Sequence, residues 1–328
     1  MEENTVLILS FHEDEHAAVV KYEIDKLGGS VVVFDPQQED DFSLIYEVHS
    51  NTVQRKLRIQ EYDLDLDRLS GLWWRRPTIP QPGSDVRHPT VRKLVSEELK
   101  QFYLGCLASS QILIMNPFAQ SALARFKLHQ LQIASLVGLN IPATMVSTSV
   151  TAIDKFIDEH NADLIYKPFS GIGFGAFETR PLVDDERYMS EKMSNCPPIL
   201  QKHIHGEYDL RITIVGNVML CAKIDYKAGY HPVDSRADMV PITPVSIPAI
   251  LQSKLFKLID ALGLVYAAID MRFDGVDYWF FEVNPEGQFL WIELHTGLPI
   301  SHAVACYLMR NSINDDSELG VYMSLIHI

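Results

Sequence analysis

The 328-residue chain holds 28 basic against 43 acidic side chains, a net charge of −15, with 47% hydrophobic and 22% charged residues. That is the composition of a globular protein of two to three domains, and it excludes a broadly basic surface for nucleic acid. A local cluster of Lys and Arg around a phosphate remains compatible with it. The four cysteines (Cys106, Cys196, Cys221, Cys306) lie far apart without CxxC spacing, as in a reduced cytoplasmic protein. The twelve histidines form no HxxxH or HExxH pair, which argues against a zinc site. No apolar run reaches the ~18 residues of a membrane span, and the acidic N-terminus is not a signal peptide.

Taken in order, Thr5–Phe11 reads as a buried strand, Glu15–Leu27 as a helix stopped by Gly28-Gly29, and Val31–Asp35 as a second strand. Strand–helix–strand order predicts a parallel α/β sheet. Asp41–Glu61 is hairpin material, Gly71–Pro77 (GLWWRRP) a strand, Arg87–Ser109 a long amphipathic helix and Ile112–Met115 a closing strand. From Ser121 a helix carrying Arg125, Phe126 and Lys127 runs to Gly138. Pro142–Ser147 (strand), Val150–His160 (helix) and Asp163–Phe169 (strand) follow, before the glycine-bearing SGIGFGAFETR. Strands are predicted over Pro198–Ile204, Glu207–Val215 and Val218–Tyr226, the last two joined at Gly216-Asn217. Gly229–Pro244 reads as a loop, Ser246–Leu262 as a helix, Val265–Phe273 and Tyr278–Asn284 as a hairpin, Ile300–Arg310 as a helix and the rest as a tail.

Glu282 and Asn284 in FFEVNPEG share one strand face. A three-residue turn would set Asp270 of AAIDMRF opposite Glu282, gathering three oxygen ligands suited to Mg²⁺ bridging nucleotide phosphates. An ExN tripeptide alone could as well be two solvated positions on a half-exposed hairpin; the opposed Asp and the flanking apolar runs favour the metal. Lys167 ends the apolar strand DLIYKPF, just before Gly171, Gly173 and Gly175, whose backbone amides could approach phosphate oxygens. Lys127 is a second candidate phosphate contact. Gln201-Lys202-His203-Ile204 could offer backbone groups to an adenine edge, or could be a plain sheet strand.

The ordered series KLHQLQIASLVGLNIPAT, LIYKPFSGIGFG, LQKHIHGEYDLRITIVG, CAKIDYK, DSRAD, AAIDMRF and FFEVNPEG resembles the ATP-grasp superfamily. The resemblance spans roughly residues 121–310 and implies α/β and α+β architecture. A pre-ATP-grasp domain would take residues 1–120, two ATP-gripping lobes 121–200 and 201–312, and a tail 313–328. It implies that Lys127, Lys167 and the Gly173 loop contact ATP phosphates, that Gln201, Lys202 and Ile204 belong to an adenine hinge, and that Asp209 or Glu207 lies near the ribose. It further implies that Asp270, Glu282 and Asn284 hold one or two Mg²⁺ ions. WWRRP and NPEGQFLWIELHTGLPIS are similar to the graspetide synthetases, typically homodimers, which join Asp or Glu side chains of a ribosomal precursor peptide, recognised through its leader, to Ser/Thr hydroxyls or Lys amines.

Carboxylate and ATP are both anions, so their approach needs concentrated positive charge. Within this frame Arg211 and Arg236 are expected to hold the acceptor carboxylate and γ-phosphate, and Lys223 to bridge phosphates; the guanidinium fork suits a carboxylate. As surface ion pairs, Asp209–Arg211 and Asp234–Arg236 would contribute little. Trp73 with Arg75, and Trp74 with Arg76, occupy opposite strand faces, so only one pair can face a cleft. Ester or amide remains open, as does a ligase acting on an amino acid or a peptide terminus; a non-catalytic nucleotide-binding module is the rival from another class.

Overall fold

The computed structural model describes residues 4–39, 41–60, 62–109, 112–161, 163–169, 179–183, 189–228 and 240–310. The chain opens with β1 (Thr5–Leu9), buried at every position, and α1 (Glu15–Lys26), whose first turn is capped by Asp14 accepting from the His16 N–H. Gly28, at φ +78°, ends this helix in the left-handed conformation that glycine adopts without penalty. The chain returns as β2 (Ser30–Phe34), parallel to β1.

Residues read as a hairpin form a separate antiparallel sheet of three strands, β3 (Phe42–His49), β4 (Thr52–Ile59) and β5 (Tyr62–Asp65). After this excursion β6 (Gly71–Trp74), α2 (Pro89–Ala108) and β7 (Leu113–Met115) complete a parallel sheet in the order β2-β1-β6-β7.

The single helix expected from Ser121 is broken at Arg125-Phe126 into α3 (Phe118–Ala124) and α4 (Lys127–Leu136), which makes Lys127 the first residue of a helix. Next come β8 (Thr144–Met145), α5 (Val150–Glu159), β9 (Leu164–Lys167), β10 (Arg180–Pro181), α6 (Ser190–Asn195) and β11 (Ile199–Lys202), with sheet order β10-β9-β11-β8.

The third unit is a five-stranded antiparallel sheet, β14-β13-β12-β15-β16. It is built from β12 (Tyr208–Val215), β13 (Val218–Ile224), β14 (Ile242–Pro244), β15 (Tyr266–Phe273) and β16 (Tyr278–Asn284). β14 lies inside the stretch read as loop. α7 (Ala249–Ala261) packs with α4 on one sheet face, over Leu210, Ile212, Ile269, Phe280 and Val283.

Two helices follow, α8 (Leu290–Thr296) and α9 (Ile300–Leu308); α6 and α8 had no counterpart in the sequence reading. The opposite face of the sheet shares one core with the N-terminal sheet: Val6, Ile8, Trp73 and Met115 pack with Val215, Leu220, Tyr266, Phe289 and most of α9. Among the described residues no helix is long and apolar enough to cross a membrane.

Candidate active site

The hairpin β15–β16 places Asp270 directly opposite Glu282, as read from sequence, but by a different route. The turn has four residues, Asp274 to Asp277, and pairing resumes after a bulge at Phe281. A bulge lets two neighbouring residues face the same side. Phe280 and Val283 thus stay in the core under α4 and α7, while Phe281 and Glu282 both line the cleft.

Arg211 on β12 pairs with Asp270 across the sheet, and its Nη1 donates to Asp270 Oδ1 at 2.6 Å. Its Nη2 donates to the Gln288 carbonyl at 3.0 Å. Asn284 Nδ2 donates to Glu282 Oε1 at 3.3 Å, and Lys127 Nζ stands 3.5 Å from Glu282 Oε2. Hard oxygen donors therefore converge with two cationic side chains, Arg211 and Lys127. Two buried atoms facing this region, Arg211 Nε and Thr213 Oγ1, have no hydrogen-bond partner among the described residues. Buried polar atoms rarely stay unpaired, so such atoms mark a place where a ligand completes the network.

Lys167 reaches the same cleft from β9. Its Nζ donates to Gln201 Oε1 at 2.9 Å and lies 4.8 Å from the Phe281 ring centre. Burial pushes its pKa down to about 8, with Lys127 and Arg272 adding to the shift and Glu282 and Asp270 opposing it. Gln201 is itself held by donation to Thr144 Oγ1 at 2.9 Å. It supports Lys167 from beneath, and of the expected hinge His203 and Ile204 line the cavity. Lys202 points the other way, its ammonium 2.7 Å from Asp163 Oδ2.

Of the two ribose candidates, Asp209 lines the cavity and Glu207 is exposed. Asp209 is gripped by Arg272 through two donations, at 2.6 and 3.0 Å. Arg272 also donates to the Ile204 carbonyl at 3.0 Å and stacks 4.0 Å from the Tyr226 ring centre. Sequence reasoning passed over Arg272 and Phe281. Arg272 was findable, because it stands two residues beyond Asp270 on the same strand face.

Lys223 is not brought to this site. The Gly216-Asn217 turn pairs Val215 with Val218, which sets Lys223 opposite Leu210 and Arg211 opposite Ala222. Opposed residues share a face, so Lys223 lies on the α7 side, its Nζ 4.7 Å from the Tyr208 ring centre. Gly173 and Arg236 fall outside the described residues.

A cavity of about 410 Å³ adjoins Asn284 and Arg211, lined also by Arg76, Arg125, Glu286 and Trp291. A second, of about 380 Å³, shares Arg76, Arg125 and Glu286 with it and is walled by Trp74, Ile79, Leu104 and Phe118. Of the two tryptophan–arginine pairs, it is Trp74, itself buried, and the exposed Arg76 that line this second cavity. Trp73 and Arg75 are buried, Arg75 ion-paired to Asp14 at 3.2 Å. Asn116 fixes the turn after β16: its Nδ2 donates to the carbonyls of Tyr266 (2.8 Å) and Pro285 (2.7 Å), and its Oδ1 accepts from the Val265 and Tyr266 N–H groups, each at 2.8 Å.

A family model described as the MvdD pre-ATP grasp domain matches residues 5–122. A probable alpha-L-glutamate ligase of Pseudomonas fluorescens (strain Pf0-1) is 26% identical over 251 residues, 71% of this chain and 78% of that protein. Probable alpha-L-glutamate ligase 1 of Shewanella sp. (strain ANA-3) is 24% identical over 225 residues, 63% and 72% of the two chains. The crystal structure of macrocyclase MdnC bound with precursor peptide MdnA from Microcystis aeruginosa MRC superposes with a TM-score of 0.80 at 29% identity, covering 94% of this chain and 100% of that one. The Chryseobacterium gregarium RiPP-associated ATP-grasp ligase, in complex with ADP and a leader and core peptide, gives 0.84 at 25% identity over 94% and 97%. The chain has the ATP-grasp fold behind a pre-ATP-grasp domain and is similar along nearly its whole length to the graspetide synthetases.

Proposed function

We propose that this chain is an ATP- and Mg²⁺-dependent peptide macrocyclase. It activates an Asp or Glu side-chain carboxylate of a ribosomal precursor peptide as an acyl phosphate. It then closes that group onto a Ser/Thr hydroxyl or a Lys amine. The observation that carries the reading is the likeness to MdnC bound with its precursor peptide, at 29% identity over that whole chain.

The convergence of Asp270, Glu282 and Asn284 supports this reading. Asp270, Glu282 and Asn284 would hold Mg²⁺, which when bound neutralises phosphate charge. Lys127 and Lys167 would bind the phosphates, Ile204 and its neighbours the base, and Asp209 the ribose. The Phe281 ring is available to one face of the cavity that Lys167 and Arg272 share. Arg211, already fixed on Asp270 and Gln288, is placed between the metal ligands and the arginine-lined cavity. There it can hold a substrate carboxylate while the phosphoryl group arrives. An expected homodimer would show as doubled mass in light scattering.

The test is incubation of the full chain with ATP, Mg²⁺ and a precursor-type peptide carrying a leader. The expected product has lost one water per bond, with one ADP released for each. The alpha-L-glutamate ligase relatives favour a second reading, addition of an amino acid to a carboxylate. That reading predicts a gain in mass, and a gain would displace the first.

A further inference from the structure

The segment between β11 and β12 carries a second constellation beside the nucleotide cavity that His203 and Ile204 line. Asp163, just before β9, faces His203 and His205 across the strand end. His205 Nε2 lies 3.2 Å and His203 Nδ1 3.5 Å from the same oxygen, Asp163 Oδ1. The three ligand atoms lie within 4.8 Å of one another, and the imidazole centres are 4.1 Å apart. Zinc binds His nitrogen and carboxylate oxygen at about 2.0–2.2 Å in a tetrahedron, which spaces neighbouring ligand atoms about 3.3 Å apart. The two contacts to Asp163 straddle that spacing.

The surroundings are built to hold this arrangement. The His203 N–H donates to the Asp163 carbonyl at 3.1 Å, fixing the two segments to each other. Lys202 Nζ occupies the other carboxylate oxygen, Oδ2, at 2.7 Å, so the carboxylate is oriented with Oδ1 toward both rings. Outer partners of this kind aim metal-binding carboxylates.

We propose that Asp163, His203 and His205 form a binding site for a borderline divalent transition ion of the Zn²⁺ class, separate from the Mg²⁺ ligands. Two imidazoles and one carboxylate, with the fourth position open to water, suit Zn²⁺ and not Mg²⁺, which prefers oxygen. The ion ties the start of β9 to the strap on both sides of Ile204, which lines the nucleotide cavity together with His203. Absence of a HxxxH motif is uninformative here, because the spacing is HxH and the third ligand comes from a different strand.

The probe is ZnCl2 titrated calorimetrically into the full chain in excess MgCl2, with Co²⁺ absorption reporting geometry. One ion per chain with a tetrahedral Co²⁺ spectrum is expected. His205→Ala is at an exposed position and is expected to fold, as circular dichroism will show; it is expected to weaken binding by at least about tenfold, and His203→Ala likewise. Lys202→Met frees the carboxylate that Lys202 orients and is expected to weaken binding by about tenfold. No zinc binding by the unaltered chain overturns the proposal. So does binding that is indifferent to His205→Ala, as a zinc ion on the exposed Cys196 would be.

Discussion

Raising the pH is expected to weaken ATP binding well before the protein unfolds, because of Lys167. In the free protein burial lowers this ammonium's pKa from 10.5 to about 8. Phosphate oxygens beside it favour the charged form and raise that value again. Between the two values, binding of ATP takes up a proton. The sign follows: below about pH 8 Lys167 is charged in both free and bound protein and affinity is flat with pH. Above it the free protein has lost a proton that the complex needs, so affinity falls by up to about tenfold per pH unit. Calorimetry in buffers of different ionisation enthalpy measures the uptake directly, approaching one proton near pH 9. Lys167→Arg, which does not deprotonate in this range, is expected to abolish the slope. A slope that persists in the Arg variant, or no uptake in the unaltered chain, would refute the reasoning. The same group acts on folding in the opposite sense to a stabilising ion pair. Its depressed pKa means that the unfolded chain binds the extra proton between pH 8 and 10.5, so its destabilising effect is full below about pH 8 and is relieved as pH rises across that window.

Three further outcomes follow from the geometry. Arg211→Ala removes the 2.6 Å partner of a partly buried Asp270 and is expected to destabilise the fold by about 2–3 kcal/mol in urea denaturation, short of a fully buried pair, while abolishing ring closure. Asn116→Ala leaves two carbonyls and two N–H groups without their partner at a buried position, and is expected to cost about 3 kcal/mol or more by the same assay. Lys223→Ala, on the far face of the sheet, is expected to leave kcat/KM within about twofold of the unaltered chain; a large loss there would contradict its placement.

Much of the site was legible because strands repeat every two residues. Glu282 with Asn284, and Asp209 with Arg211, could be assigned to faces by counting alone. The Lys223 misplacement was avoidable on the same arithmetic: a two-residue turn at Gly216-Asn217 forces Arg211 opposite Ala222. What counting could not supply was contact between distant segments. Asp163 meets His203 and His205 only because β9 and β11 are neighbours. Asn116 braces the turn after β16 only because two sheets share a core. The short helices α6 and α8 were missed for a simpler reason, since a six- or seven-residue helix offers fewer than two turns of pattern.

The bulge at Phe281 can be treated as an insertion. If Phe281 were deleted, the four-residue turn would by regular pairing bring Glu282 into the place opposite Asp270, where it already stands. Phe280 and Val283 would keep their inward faces. The hairpin's reading frame is thus indifferent to this residue, and so is the metal-ligand set. What the extra residue adds is an aromatic ring against Lys167 and Arg272. A chain shortened by this one position is therefore expected to fold with its carboxylates aligned and to lose the ring from the nucleotide side, a separation of scaffold from binding surface that few single-residue deletions within a strand allow.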